Sequence, residues 1–301
     1  PLPLTTSTPE SSEMRRLLHR RRLTLARRAC ELAVLILFAG SARWGWSVAG
    51  RPLLLGTLSQ SRVLDFIALT DPLALLERLC AGVVPTVSAL AGAAIITLFY
   101  GLIGSRAFCG WICPMTLVVE SAAWLRGRLS LPADLIRLPR SARMAALAAA
   151  LLASLATGSA AFETVSPQAL LWRDLIFGTG LSALSAALAI FALELGLMRE
   201  GWCGHLCPLG ALWSLIGRVS PAPLATIRFD DARCTRCAQC IKVCPERQVI
   251  RFHDLARTGR IPSGDCMLCG RCVEVCEEEA LGLHLGRTSL TATKTTKETQ
   301  K

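Results

Sequence analysis

Residues 234–245 read CTRCAQCIKVCP and residues 266–276 read CMLCGRCVEVC, so one spacing, C-x2-C-x2-C-x3-C, occurs twice near the C-terminal end. Three thiolates so closely spaced can wrap one corner of an iron–sulfur cubane. The fourth, beyond a short helical turn, ligates the other cluster where two are paired. The spacing therefore assigns Cys234, Cys237, Cys240 and Cys276 to one [4Fe–4S] cluster, and Cys266, Cys269, Cys272 and Cys244 to a second. Structural zinc is the competing reading, but its cysteines usually fall into two C-x2–4-C pairs split by a loop, not into two full runs of four.

Outward from these runs, Phe229–Leu285 resembles the bacterial two-cluster ferredoxins. It departs from them at Glu277, which stands where a proline is expected after the last cysteine, and in a long linker between Cys244 and Cys266. Neither departure removes a ligand. Glu277, Glu278 and Glu279 place negative charge beside one cluster, which is expected to lower its potential and separate the two clusters in energy; their plainer reading is a solvated acidic patch.

Further towards the N-terminus a second cysteine pattern is duplicated. FCGWICPM (residues 108–115) is echoed by WCGHLCPL (residues 202–209), giving two C-x3-C-P motifs with Cys109 and Cys113 in one and Cys203 and Cys207 in the other. On a helix, this spacing sets the two thiols of a pair on one face. The four are redox or docking candidates: a metal or third cluster site, a thiol–disulfide couple or a docking surface for a redox partner, with two tight structural turns as the alternative. His205 in the second motif is matched by Trp111 in the first. The other two of the 14 cysteines, Cys30 and Cys80, stand alone and read as small buried hydrophobes.

The chain is 52% hydrophobic and 18% charged, with the apolar residues gathered in long runs. Four runs, at about 29–48, 84–103, 142–161 and 177–198, are each long enough at 1.5 Å per residue to predict a transmembrane helix. Trp44 and Trp46 would mark an interface, with Arg43 extending to the headgroups. Residues 52–79, broken by Pro52, Asp65, Asp71 and Pro72, read as an external loop with a short interfacial helix.

A net charge of +11 raises the possibility of nucleic acid, but the arginines flank apolar runs and are not interleaved with aromatics, so no nucleic-acid partner is expected. Seven arginines between Met14 and Arg28 and six from Arg106 to Arg143, against three from Arg51 to Arg78 and one at Arg173, place both termini in the cytoplasm. Cytosolic placement also suits cysteines that must stay reduced for cluster assembly. No secretory signal is read. The four histidines, His19, His205, His253 and His284, all lie outside the four runs, so no transmembrane bis-His haem is expected.

These readings predict a mainly α, multi-pass bacterial inner-membrane protein. A basic, partly disordered segment (1–28, polar over 1–13) precedes a membrane domain (29–220), a four-transmembrane-helix bundle of two repeated hairpins. An α+β 2[4Fe-4S] ferredoxin-like domain (225–287) and a disordered tail (288–301) follow.

The combination of paired C-x3-C-P motifs, apolar runs and a two-cluster tail resembles the NapH/MauN family of ferredoxin-type membrane proteins. LTDPLALLE (69–77), GAAIIT (92–97) and GWCGHLCPLGAL (201–212) carry the likeness most closely. The resemblance implies the membrane component of a quinol dehydrogenase, set in membrane lipid, drawing on the quinol pool. It would pass electrons through a partner ferredoxin-type protein to a periplasmic redox protein, in the NapH case nitrate reductase. MauN-like members imply instead an assembly or electron-supply role in methylamine utilisation, without quinol turnover. No residue is identified as a quinone ligand, and whether the chain is itself a quinol-oxidising enzyme stays open.

Overall fold

The computed structural model describes residues 21–286 other than 49, 132–134, 137, 140, 179, 221–222 and 263; the expected disordered stretches 1–13 and 288–301 lie outside the described residues. The chain opens with a long helix, α1 (Arg22–Arg43). Short strands follow: a two-residue hairpin of β1 (Ser47–Val48) and β2 (Arg51–Pro52), then an antiparallel meander of β3 (Leu54–Gly56), β4 (Gln60–Val63) and β5 (Ile67–Thr70). Asp71 then caps α2 (Pro72–Cys80), its carboxylate accepting from Leu73 N at 3.2 Å while Pro72 takes the first helical position, where a missing N–H costs nothing.

Helices α3 (Val87–Ile103), α4 (Ala107–Trp111) and α5 (Met115–Arg128) carry the first cysteine motif. Next come α6 (Ser141–Thr157), α7 (Ala161–Val165), α8 (Pro167–Phe177) and α9 (Leu181–Ala192), and α9 loosens into a π-turn over Leu193–Leu197. A second π-turn, Trp202–Leu206, carries Cys203 and leads into α10 (Pro208–Val219). The C-terminal region is closed by β6 (Ala225–Phe229) pairing antiparallel with β7 (Leu281–Leu285), with α11 (Gln239–Val243), α12 (Phe252–Thr258) and α13 (Arg271–Glu274) between them.

The expected four-transmembrane bundle is not what these segments form: among the described residues no helix is long and apolar enough to cross a membrane. The reasons differ by segment. α3 and α6 each stop at 17 residues, about 25 Å of helix against a hydrocarbon core of about 30 Å. The fourth run is broken where Gly178 and Gly180 adopt left-handed backbone (φ 81° and 67°), separating α8 from α9. α1 has 22 residues, but Arg27, Arg28 and Glu31 lie in it, and Arg27 and Glu31 are fully buried in ion pairing. The same finding overturns the multi-pass inner-membrane localisation, because among the described residues the arginine asymmetry has no spans to orient. Arg43, expected at headgroups, donates to the Leu175 carbonyl at 3.0 Å. In residues 52–79, read as a loop with a short helix, the helix is α2 and the part before it is the β-meander, not a loop.

What positions the cysteines is a core shared between the repeats and the ferredoxin-like region. Leu73, Phe108, Cys109, Leu147, Leu209, Trp213 and Met267 pack together, with Tyr100, Phe108 and Trp213 in mutual ring contact at 5.2–5.7 Å. Met267 comes from the ferredoxin-like region, between Cys266 and Cys269. A second core, around Ile227, Val249, Leu255, Ile261 and Leu268, fills the space under the β6–β7 pair.

Candidate functional site

The twelve grouped cysteines fall around three cavities. The first has an empty volume of about 1050 Å³ and is lined by Cys234, Cys237, Cys240 and Cys276 together with Glu277 and Glu278. Cys237 is exposed there. The second, of about 350 Å³, is lined by Cys244, Cys266, Cys269 and Cys272. The third, of about 480 Å³, is lined by Cys109, Cys113, Cys203 and Cys207 with Arg106, Phe162, Gln168 and Trp202. Thus each ferredoxin-type run sends its fourth cysteine to the cavity of the other run, and the two C-x3-C-P motifs share one.

Local geometry explains each placement. Non-glycine residues adopt left-handed backbone inside the cysteine loops, at Arg236 (φ 57°), Ala238 (60°) and Leu268 (52°), turning the chain back on itself so that successive thiols face inward. Backbone amides point at the sulfurs: Arg236 N to Cys234 Sγ at 3.4 Å and Ala280 N to Cys276 Sγ at 3.3 Å. In the repeats the C-x3-C spacing does not lie on one regular helix. Cys109 sits in α4 and Cys113 just beyond it, whereas Cys203 lies in the π-turn and Cys207 caps α10, its sulfur accepting from Gly210 N at 3.5 Å. Pro114 and Pro208 each follow the second cysteine at the turn into the next helix.

Burial disfavours thiolates at these positions. It pushes the Cys266 thiol up to about 12 and that of Cys207 up to about 11. Cys113, Cys203 and Cys272 are raised well above the ordinary thiol value, first by burial and then by neighbouring thiols. A cationic centre is what makes several thiolates tolerable in such a space. Among the described residues, no three or more Cys, His, Asp or Glu side chains are grouped so as to hold a single metal ion. The thiols of a cubane stand around a four-iron body and lie further apart than ligands of one ion, so the cavities suit clusters.

A buried polar network invisible to the cysteine spacing joins the second and third cavities. Arg106, immediately before the first motif and fully buried, ion-pairs with Glu246, donates to the Asp265 carbonyl at 3.0 Å and to the Cys203 carbonyl at 3.2 Å. Arg143 donates to Glu246 at 3.0 Å, Asp265 at 2.6 Å and Ser214 Oγ at 3.3 Å. Glu246 follows Cys244-Pro245 and Asp265 precedes Cys266. The sequence signal was present: each of these charges except Arg143 sits within three residues of a grouped cysteine. A second network ties α1 to the same region, through Arg27 and Arg271 on Glu120 and Thr24 on Glu274 at 2.6–2.7 Å.

Comparison with known proteins agrees with this arrangement. A family model described as a 4Fe-4S dicluster domain matches residues 226–277, and one described as a 4Fe-4S binding domain matches residues 85–132 and 179–223, the two segments that contain the repeats. The methylamine utilization ferredoxin-type protein MauN of Methylorubrum extorquens is 44% identical over 203 residues, 67% of this chain and 69% of its own length. The ferredoxin-type protein NapH of Escherichia coli is 38% identical over 231 residues, 76% and 77% of the two chains, and NapH of Haemophilus influenzae 41% over 226 residues, 75% of each. This chain belongs to the NapH/MauN family of ferredoxin-type proteins. No solved structure matches it. As a NapH/MauN protein it is an iron–sulfur electron-transfer protein. Its donor set of grouped thiols with amide hydrogen bonds to sulfur fits the clusters that the family models describe.

Proposed function

We propose that the chain is the electron-transfer component of a quinol dehydrogenase, passing electrons that originate in quinol towards a terminal reductase of the nitrate reductase kind. A partner ferredoxin-type protein and a periplasmic redox protein would complete the route. Cys234, Cys237, Cys240 and Cys276 would hold one [4Fe–4S] cluster and Cys244, Cys266, Cys269 and Cys272 the other, supplying one-electron carriers. The observation that carries this reading is the difference in access between the two cavities. One is lined by exposed Cys237, where a partner can approach; in the other Cys269 and Cys272 are buried, and the first repeat packs on the intervening loop at Met267.

The protein's own residues do three things in this scheme. Gly110 lets α4 lie directly on the Met267 carbonyl, a contact that a Cβ would obstruct, so the loop holding Cys266 and Cys269 packs against the first repeat. Trp111 Nε1 donates to the Leu268 carbonyl at 3.0 Å and fixes the same loop. Arg106, Arg143 and Glu246, all buried, hold compensating charge beside Cys244 and Cys266.

A second reading, an electron-supply or assembly protein for methylamine utilisation without quinol turnover, is favoured by the 44% identity to MauN. The deciding experiment is electron paramagnetic resonance on anaerobically purified protein before and after a reduced quinol. Reduced-cluster signals appearing with quinol support the first reading. Reduction by dithionite alone favours the second.

A further inference from the structure

We propose that Arg27, on the N-terminal helix α1, sets the potential of the second cluster site, its buried guanidinium stabilising the reduced, more negative state of a cluster held by Cys244, Cys266, Cys269 and Cys272.

α1 forms one wall of that site. Gly270, between Cys269 and Cys272, takes left-handed backbone (φ 74°) and leaves room for Leu23, which a Cβ there would meet at 2.6 Å. Thr24 N and Oγ1 donate to the Glu274 carboxylate at 2.7 and 2.6 Å, and Arg271 reaches Glu120 on α5. Arg27 stands one helical turn beyond Leu23 and Thr24 on the same face of α1, so the helix carries it to this loop, where it shares Glu120 with Arg271.

The guanidinium is fully buried and incompletely paired. Nη1 meets Glu120 at 2.6 Å, but Nε and Nη2 have no hydrogen-bond partner among the described residues. The same carboxylate also serves Arg28 and Arg271, so it faces three cations, and Glu31 relieves only Arg28, at 2.7 Å. Burying a charge is costly unless opposite charge lies close. Burial lowers the pKa of Arg27, and Cys269 is the foremost of the groups opposing that, ahead of Glu31 and Glu274. A cluster on four thiolates is net negative and gains a further negative charge on reduction, so it supplies the missing counter-charge, most fully when reduced. Cys269 and Cys272 are buried, where such an interaction is little screened. Glu277 and Glu278, bordering the first cavity, act in the opposite sense, so the two clusters are driven apart in potential. Arg27 itself lies outside the residues that either family model matches.

This inference rests on the proposed ligand set and not on quinol as the donor. The test is a redox titration, followed by electron paramagnetic resonance, of the anaerobically purified full chain and of Arg27→Gln, Arg27→Lys and Glu120→Gln variants. Arg27→Gln is expected to make the second cluster about tenfold harder to reduce at a fixed potential, a fall of about 59 mV for one electron. The first cluster, identified by the broadening of its signal with an added paramagnetic ion that can approach exposed Cys237, should keep its midpoint. Arg27→Lys should recover most of the shift, and Glu120→Gln should move the second midpoint upwards. A clamp that only holds α1 in place would lower the thermal midpoint of Arg27→Gln and leave both redox midpoints where they were, and that result overturns the proposal. So does a fall shared equally by the two clusters. If Arg27→Gln does not fold, Glu120→Gln decides, and the absence of an upward shift there is equally fatal. Failure of the ligand set is a separate outcome, read in the wild-type protein as the lack of a second reduced-cluster signal, and it removes the inference with it.

Discussion

The two cavities of the ferredoxin-like region are built from the same spacing and differ in almost everything around it. The one at Cys234, Cys237, Cys240 and Cys276 is wide, bordered by Glu277 and Glu278, and leaves Cys237 exposed. The one at Cys244, Cys266, Cys269 and Cys272 has about a third of that empty volume and is backed by α4 and the Arg106–Glu246–Arg143–Asp265 network. Identical ligand chemistry is thus placed once beside an exposed thiol that a partner can reach and once against another part of the same chain. The repeats, not the cysteine runs, make that difference.

The sharpest way to break the comparison is to remove the buried guanidinium that holds the closed side shut. Arg106→Leu leaves Glu246 with Arg143 as its remaining ion-pair partner and strips the donor from two carbonyls. Losing one member of a buried charged pair costs about 3–5 kcal/mol. A drop of many degrees in thermal midpoint is expected, with the surface cavity's cluster retained longer than the interior one on heating. Equal loss of both clusters would mean that the network does not distinguish them.

A smaller effect separates buried from exposed acids. Glu194 is 1% exposed and accepts from Trp202 N at 2.7 Å, bracing the turn that carries Cys203; burial holds its carboxyl up to about 7, against 4.5 ordinarily. Between those values the folded protein keeps a proton that the unfolded chain has released. The stability it contributes is fully present below the unfolded value and is lost as pH rises through the folded one. Glu194→Gln removes this titration. The fall in thermal midpoint from pH 5 to pH 7.5 should be several degrees shallower in the variant, and an unchanged slope would assign the pH dependence elsewhere.

Much of the ferredoxin-like region was legible because metal ligation dictates spacing directly: the positions of Cys234 through Cys276 say which thiols can reach which side of a cubane. The duplicated C-x3-C-P motif was equally plain. What it could not say is that the pairs meet, since nothing local in FCGWICPM or WCGHLCPL specifies their tertiary approach. The apolar runs misled because hydropathy counts residues without seeing where a helix stops. Gly178 and Gly180 interrupt one run. Arg27 and Arg28 pair with Glu120, far along the chain, which a local window does not contain. The Arg106 network escaped notice for the same reason, its partners lying 97 to 159 positions away.

The smallest expected effect lies at the open cavity and touches rate, not stability. Glu277, Glu278 and Glu279 are exposed, and the Arg233–Glu279 pair at 3.5 Å is solvent-exposed on both sides, so it contributes little to folding. Replacing the three glutamates by glutamine should leave the thermal midpoint nearly unchanged. Their field, however, acts on whatever approaches Cys237. Reduction by a cationic viologen radical should slow several-fold at low ionic strength, whereas reduction by the dithionite anion should quicken, because like charges no longer repel it. Both differences should fade towards 1 M salt, where the screening length falls to about 3 Å. If the ratio of the two rates does not move at low salt, electrons do not enter beside these glutamates. The closed side would then have to contain the port.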